Sequence, residues 1–456
     1  LVELPLLVLA RFDDVFLELP REVLVTAMRS HQRYFAMEDP DGNLVSTFGV
    51  VANNRASDME VVVRGNQRVI AARLYDARFF WDQDLKTGLD ALASRLGERL
   101  FLKGAGDMAE KATRIAALTG AICGVSGLDD DVRKTASRAA ALCKADLMSQ
   151  MVGEFPDLQG VMGGYYALAQ GETEGVATAI REHYLPRHAG DALPSSEAGA
   201  VLAIADRMDS IVRCFEVGAV PTGSRDPLAL RRAALGILRI LENSPGLNKI
   251  SFSRLMELVS EDVRVGVTDF FVDRFRTILN EDHEIPTDFA NAVAEKLRED
   301  ESPPPERLAA FANVLKNEDP IRLRAFLDAV YKRPNNICRK AAEEGLWDRE
   351  VMDRTDLTDD WIRGLPTDGD QRLATAVRAA DERLFEESVW KDPKFIIDTF
   401  FTLEAPIAGF LGSGKDDGVP VLICKDHGLR TQRLQLLGLV WKLLDRFADF
   451  SRISTR

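Results

Sequence analysis

The sequence is poor in the side chains most often used to close disulfides or hold metals. Five cysteines (Cys123, Cys143, Cys214, Cys338 and Cys424) are scattered over 456 residues with no Cys-x-x-Cys pair. That pattern argues against a disulfide framework and a thiolate zinc site, and it fits a reducing cytoplasm. The five histidines (His31, His183, His188, His283, His427) are equally dispersed, whereas a metallohydrolase concentrates such ligands. No apolar run reaches the roughly 18 residues that a bilayer-spanning helix needs, so no membrane partner is expected. The opening LVELPLLVLARF is apolar but has neither a basic flank nor a small-residue cleavage site. It also lacks an initiator Met, so it reads as an interior strand or helix exposed by truncation of a longer protein. No internal repeat and no low-complexity segment is found.

What is present points to a globular chain. Hydrophobic residues make up 46% and charged residues 29%, and the length suggests about three domains. The formal net charge of −14 disfavours a polyanionic partner on average, but a local basic stripe outweighs an average. From Val421 to Arg456, seven basic residues (425, 430, 433, 442, 446, 452, 456) face three Asp (426, 445, 449). A second cluster, Lys332, Arg333, Arg339 and Lys340, has no acid among residues 332–340.

Residues 1–100 read as mixed α/β. A helix is predicted over 21–31 and strands over Gln32–Met37 and Leu44–Ala52, joined by the turn-rich Asp39-Pro-Asp-Gly-Asn43 as a hairpin. A helix follows, with Ile70, Leu74, Ala77 and Trp81 spaced as one buried face. Residues 105–300 are almost wholly helical, notably over Thr135–Met151 and Gly199–Phe215, the latter started by Pro194-Ser-Ser-Glu197. Ser302-Pro-Pro-Pro305 reads as a linker or sharp corner. Residues 305–456 stay helical, interrupted at Gly409–Pro420, and a last helix over 429–450 buries Leu434, Leu437, Trp441, Leu444 and Phe447 or Ala448. The fold class is therefore mainly α and multi-domain, with a small α/β N-terminal module.

Several strings in order now resemble one family. They are His31-Gln-Arg-Tyr-Phe35, Val51-Ala-Asn53, Gly65-Asn-Gln-Arg68 and Ala72-Arg-Leu-Tyr-Asp-Ala-Arg-Phe-Phe-Trp81. Then come Lys144-Ala-Asp-Leu147, Met151-Val-Gly-Glu-Phe-Pro-Asp-Leu-Gln-Gly160, Glu182-His-Tyr-Leu-Pro186 and Pro221-Thr-Gly-Ser-Arg-Asp-Pro227 with Arg231-Arg232. Tyr331-Lys-Arg-Pro-Asn-Asn-Ile337 and Leu429-Arg-Thr-Gln-Arg-Leu434 extend the match. Together they resemble the β subunit of bacterial two-subunit glycyl-tRNA synthetases. The resemblance implies tRNA(Gly) binding beside an α subunit, in a two-α, two-β assembly in the cytoplasm. ATP, Mg2+ and glycine would act on the α subunit, with no cofactor and no catalytic residue in this chain. It also implies three parts: 1–100, similar to part of the phenylalanyl-tRNA synthetase β chain; 105–300, an HD-like helical domain; and 305–456, a helical linker with a DALR-like anticodon-binding domain. No HIGH or KMSKS string and no ATP-clamping arginines of a class II synthetase are recognised.

An HD-type site would need His and Asp ligands converging on a cation. Here the positions read Lys144 and Asp146, with Asp206 or Asp209 as the distal acid, and the completing histidines are absent from these helices. Asp146 is read as a helix-surface or packing carboxylate, and no metal is expected. Gly409-Phe-Leu-Gly-Ser-Gly-Lys415 matches the start of a phosphate-binding loop, but Asp416 and Asp417 follow it, so it reads as a solvent loop. The candidate tRNA contacts are Arg430, Arg433, Lys442 and Arg446 on the last helix, Lys332 and Arg333, and Arg225, Arg231 and Arg232 after a glycine turn. Asp226 and Pro227 are expected to start the helix that carries the last two. His31 reads as a structural histidine, Phe79, Phe80 and Trp81 as anchors, and Gly97–Gly106 as a joint. Two rivals stand beside this reading: an HD-type metal phosphohydrolase and a free-standing RNA-binding module.

Overall fold

Alanine- and leucine-rich windows with polar caps form helices along most of the chain. In a computed structural model that describes residues 5–53, 58–346, 357–385, 387–412 and 418–454, the architecture is mainly α-helical with few strands. The chain divides into two compact units, Leu1–Ile240 and Leu241–Arg456.

The first unit begins with a three-stranded antiparallel sheet. Its strands are β1 (Leu6–Arg11), β2 (Phe35–Glu38) and β3 (Leu44–Ala52), in the order β1-β3-β2. The helix Arg21–Gln32 lies between β1 and β2 in the chain. The expected hairpin is present. The Asp39 carboxylate accepts the backbone N–H of Asp41 and Asn43 at 3.0 and 2.8 Å, and Gly42 takes a positive φ of 83°, which a side chain would resist. Period-two alternation buries Val8, Ala10 and Phe48. The helix Met59–Thr87 is started by Asp58, which caps Glu60 and Val61. Ile70, Leu74 and Ala77 are fully buried, and Trp81, half-buried, lies 5.3 Å from the Tyr166 ring. Phe79, in contrast, is exposed.

The rest of this unit is a helical pack. Gly97–Gly106 is a turn region, with Leu100–Leu102 paired to Gly106–Asp107 and the Arg99 guanidinium on Leu147 O at 3.0 Å. The helix expected over Thr135–Met151 is instead Asp130–Leu142, a 3-10 turn Ala145–Met148 and a short helix Gln150–Glu154. The break has a cause. Asp84, buried on the long helix, accepts the N–H groups of Gln150 and Met151 at 2.9 and 3.0 Å and the Tyr166 hydroxyl at 2.8 Å, so the short helix starts afresh on that carboxylate. The helix Glu197–Glu216 is capped by Ser196, as its start signals suggest. It buries Val201, Leu202, Ile204, Met208 and Ile211, each contributing about 1.5–3 kcal/mol. The helix after the glycine turn starts at Leu230 rather than at Pro227. Asp226 still caps it from outside, accepting Leu230 N and Arg231 N at 2.8 and 3.0 Å.

In the second unit the tri-proline corner is buried and leads into the helix Pro305–Asn317. Pro320–Phe326 runs through a π-helical turn, Leu327–Lys332, into Arg333–Glu343. Pro334 lacks an N–H for the preceding turn, which accounts for the widened spiral. The helices Asp368–Leu384, Pro393–Phe401 and Glu404–Leu411 follow, and the last helix is His427–Asp445. Leu434, Leu437, Leu444, Phe447 and Ala448 are buried as expected, whereas Trp441 is half-buried and donates to the Tyr331 hydroxyl at 3.1 Å. Phe447 packs 4.9 Å from Trp390 and 5.4 Å from Phe400. Of the Gly409–Lys415 string expected as a solvent loop, Gly409, Phe410 and Leu411 instead end the helix Glu404–Leu411, and residues 413–415 lie outside the described residues. The His31 side chain also lies outside them.

Candidate functional site

Lys144 ends the helix Asp130–Leu142 by turning inward. Its ammonium lies 2.7 Å from Asp206 Oδ2 and 2.9 Å from His183 Nε2, and 4.0 Å from the centroid of the Tyr184 ring. Lys111, from the helix Met108–Ser126, lies 2.9 Å from Asp206 Oδ1 and 3.1 Å from Asp209 Oδ2. Arg114, one turn further on, donates to Asp209 at 2.5 and 3.2 Å. Burial alone would push the Asp206 carboxyl up, but the two ammoniums hold it well below the usual carboxylate range. Burial and the Lys144 charge hold His183 well below its ordinary value. Its neutral ring donates from Nδ1 to Ile180 O at 2.6 Å and accepts from Lys144 at Nε2.

This geometry answers the metal question by its donor set. A divalent cation needs lone pairs converging on one point, yet here an ammonium takes up both the carboxylate and the imidazole. The sequence reading placed no histidine among these helices. His183, at the end of Glu174–Glu182, is brought in by the fold and corrects it. Lys111 and Arg114 were also missed, since residues almost a hundred positions apart carry no joint signal.

Asp146 stands apart from the cluster, and of the two readings, surface or packing, it takes the second. It is fully buried, in the 3-10 turn, and Oδ2 accepts Gly160 N and Gly163 N at 2.6 and 2.9 Å. Gly163 is needed there, because a Cβ would meet Ile180 at 2.8 Å and the Asp146 carboxylate at 3.1 Å. Burial pushes the Asp146 carboxyl up to about 6, against the pull of those two amides. With the folded value above the unfolded one, protonation favours the fold. The contribution of Asp146 is complete below about pH 4 and is lost as pH rises through about 6. The unfolding midpoint of Asp146→Asn, which keeps an acceptor and cannot ionise, should therefore gain on the parent between pH 4 and 7. A difference independent of pH would contradict the assignment.

Within the second unit, most of the predicted RNA contacts are engaged by the chain itself. Arg433 is corrected outright: only 3% exposed, it clamps the Asp370 carboxylate with two bonds of 2.9 Å and Pro420 O with a third at 2.8 Å. A buried guanidinium so engaged cannot meet RNA. Arg446 pairs with Asp381 at 2.9 Å, and Arg430, half-buried, bonds His427 Nδ1 at 2.6 Å. Lys442 is exposed. Lys332 donates to Ile453 O at 2.9 Å and Arg333 to Leu411 O and Gly412 O at 2.8 and 2.9 Å, although both edge a shared groove with Lys340. Arg231 is held on Gly223 O at 2.7 Å, whereas Arg225 and Arg232 are exposed.

With that geometry in view, known proteins supply the class: the relatives are components of aminoacyl-tRNA synthetases. A family model described as glycyl-tRNA synthetase beta subunit matches residues 1–295. The chain belongs to the glycyl-tRNA synthetase beta subunit family. It is 36% identical over 468 residues to the glycine–tRNA ligase beta subunit of Geobacter metallireducens, covering all of this chain and 63% of that one. It is 39% identical over 457 residues to that of Phenylobacterium zucineum, covering all of this chain and 64% of the relative. To that of Synechocystis it is 36% identical over 475 residues, with 99% and 64% covered. The chain thus spans just under two thirds of the length of these relatives.

Proposed function

We propose that the chain serves as the β subunit of a glycine–tRNA ligase. In this reading it holds tRNA(Gly) beside an α subunit on which ATP, Mg2+ and glycine are used, in a two-α, two-β assembly in the cytoplasm. Family membership, with similarity along the whole chain, carries the reading. All five cysteines are buried thiols, which agrees with a reducing compartment. No helix among the described residues is long and apolar enough to cross a membrane. The division into an α/β module, an HD-like domain and an anticodon-binding domain belongs to the same proposal.

The test is co-purification with the α subunit of the same organism, followed by aminoacylation with and without the β chain. Stable association and glycylation that depends on the β chain are expected. Equal charging of tRNA(Gly) by the α subunit alone would overturn the proposal.

A further inference from the structure

In a chain where Asp and Glu outnumber Lys and Arg by 72 to 58, many exposed arginines have a carboxylate beside them. Arg64, Arg95, Arg254 and Arg298 each have one. One cleft of the first unit departs from this. It measures about 790 Å³, and four segments bring Arg21, Arg29, Arg187, His188, Arg207 and Arg232 to its walls. Arg21 and Arg29 come from the helix Arg21–Gln32, Arg187 and His188 from the loop after Glu174–Glu182, and Arg232 from the helix after the glycine turn.

These arginines divide by role. Arg207 is structural: its guanidinium donates to the carbonyls of His183, Ala203, Tyr184 and Pro186 at 2.9–3.1 Å and so shapes the floor. Arg21 pairs with Glu38. Arg29, Arg187 and Arg232 are exposed and have no ion pair or side-chain hydrogen bond among the described residues. Of the cleft's three carboxylates, Glu22 accepts the Tyr165 hydroxyl at 2.8 Å and Asp206 faces Lys111 and Lys144, which leaves Asp157. Three free guanidinium forks therefore surround a hollow far larger than one phosphate, above a floor whose buried acid is already neutralised.

We infer that this cleft is a seat for the phosphate backbone of a folded RNA, with Arg29, Arg187 and Arg232 as its phosphate contacts. Planar forks pair with phosphate oxygens two at a time, and charges from separate segments suit a curved backbone better than a single bound anion. The inference rests on the tRNA-holding reading and names where the grip lies. It moves the main electrostatic contact away from the last helix.

The experiment measures tRNA(Gly) binding by the α–β holoenzyme over a range of salt, for the parent and for Arg29→Gln/Arg187→Gln/Arg232→Gln. Each lost phosphate contact lowers the slope of log affinity against log salt by about 1, so the triple variant should lose a slope of about 3 and bind roughly tenfold or more weakly at low salt. The corresponding triple Lys variant, which keeps the charges, should retain most of the slope, and ATP–pyrophosphate exchange should be unchanged in both. A parent that binds tRNA beside Gln variants with the same slope and affinity would overturn the seat. So would saturable binding of inorganic phosphate that the Gln variants lose while tRNA binding persists, which would mark a small-anion pocket. Loss of α-subunit association with tRNA affinity intact would mark a protein interface and also overturn it. A parent holoenzyme that fails to bind tRNA(Gly) at all would instead sink the broader reading.

Discussion

Replacing Asp370 with Ala is expected to lower the unfolding midpoint of the second unit by about 6–20 °C. The carboxylate is wholly buried and takes both forks of Arg433 at 2.9 Å. It also accepts the Thr367 hydroxyl at 2.7 Å, at the start of its own helix. Its removal leaves a guanidinium buried without a counter-charge, at a cost of about 3–5 kcal/mol. For a unit of this size each kcal/mol moves the midpoint by about 2–4 °C. The contrast is Asp381→Ala, which breaks the exposed pair with Arg446 and should cost no more than about 1 kcal/mol. Calorimetry of both variants checks the pair. Equal, small shifts would show that Arg433 is not the buried clamp described above. The same burial governs any RNA-binding experiment on the last helix. Charge reversal at Arg433 would disrupt the fold, and the affinity lost would say nothing about contact.

The second large effect is expected at Lys144. Lys144→Met keeps the aliphatic length and removes the ammonium that serves Asp206 and His183. Lys111 still faces Asp206 at 2.9 Å, so the cost should fall near the lower end of the range for a broken buried pair, about 3 kcal/mol. That corresponds to about 6–12 °C on the transition of the first unit. Because the pair is shielded from solvent, the loss should change little between low and high salt. A fully stable Lys144→Met protein would contradict the view that this buried lysine holds the core of the first unit together.

How far the sequence could be read depends on the range of the interaction. Local chemistry was legible: the Asp39–Asn43 turn, the Ile70/Leu74/Ala77 face and the Ser196 cap all lie within a few residues of what they determine. Long-range pairing was not. The charge pattern marks Arg433 as basic, but only the fold brings Asp370, 63 positions away, against it and turns a surface cation into a core one. Asp84 is similar: read along its own helix it is one more polar residue, yet it starts another helix 66 positions later. The buried Lys144–Asp206–His183 cluster was half legible. Lys144 and Asp206 were singled out and do meet. His183 carries no signal of its part in it, because a histidine on a neighbouring helix has no fixed spacing to them. Arg29 and Arg187 escaped notice because each stands alone in sequence, and only the cleft unites them with Arg232.

Two populations of basic side chain thus divide the labour: Lys111, Lys144 and Arg433 turn inward to hold helices, while Arg29, Arg187 and Arg232 stay free at one hollow. Crosslinking of 4-thiouridine-labelled tRNA(Gly) to the α–β holoenzyme, with the linked peptides identified by mass spectrometry, tests that division most directly. Crosslinks are expected around residues 184–190 and 228–233 of the first unit. Crosslinks confined to residues 427–446 of the last helix, with none around the cleft, would contradict it.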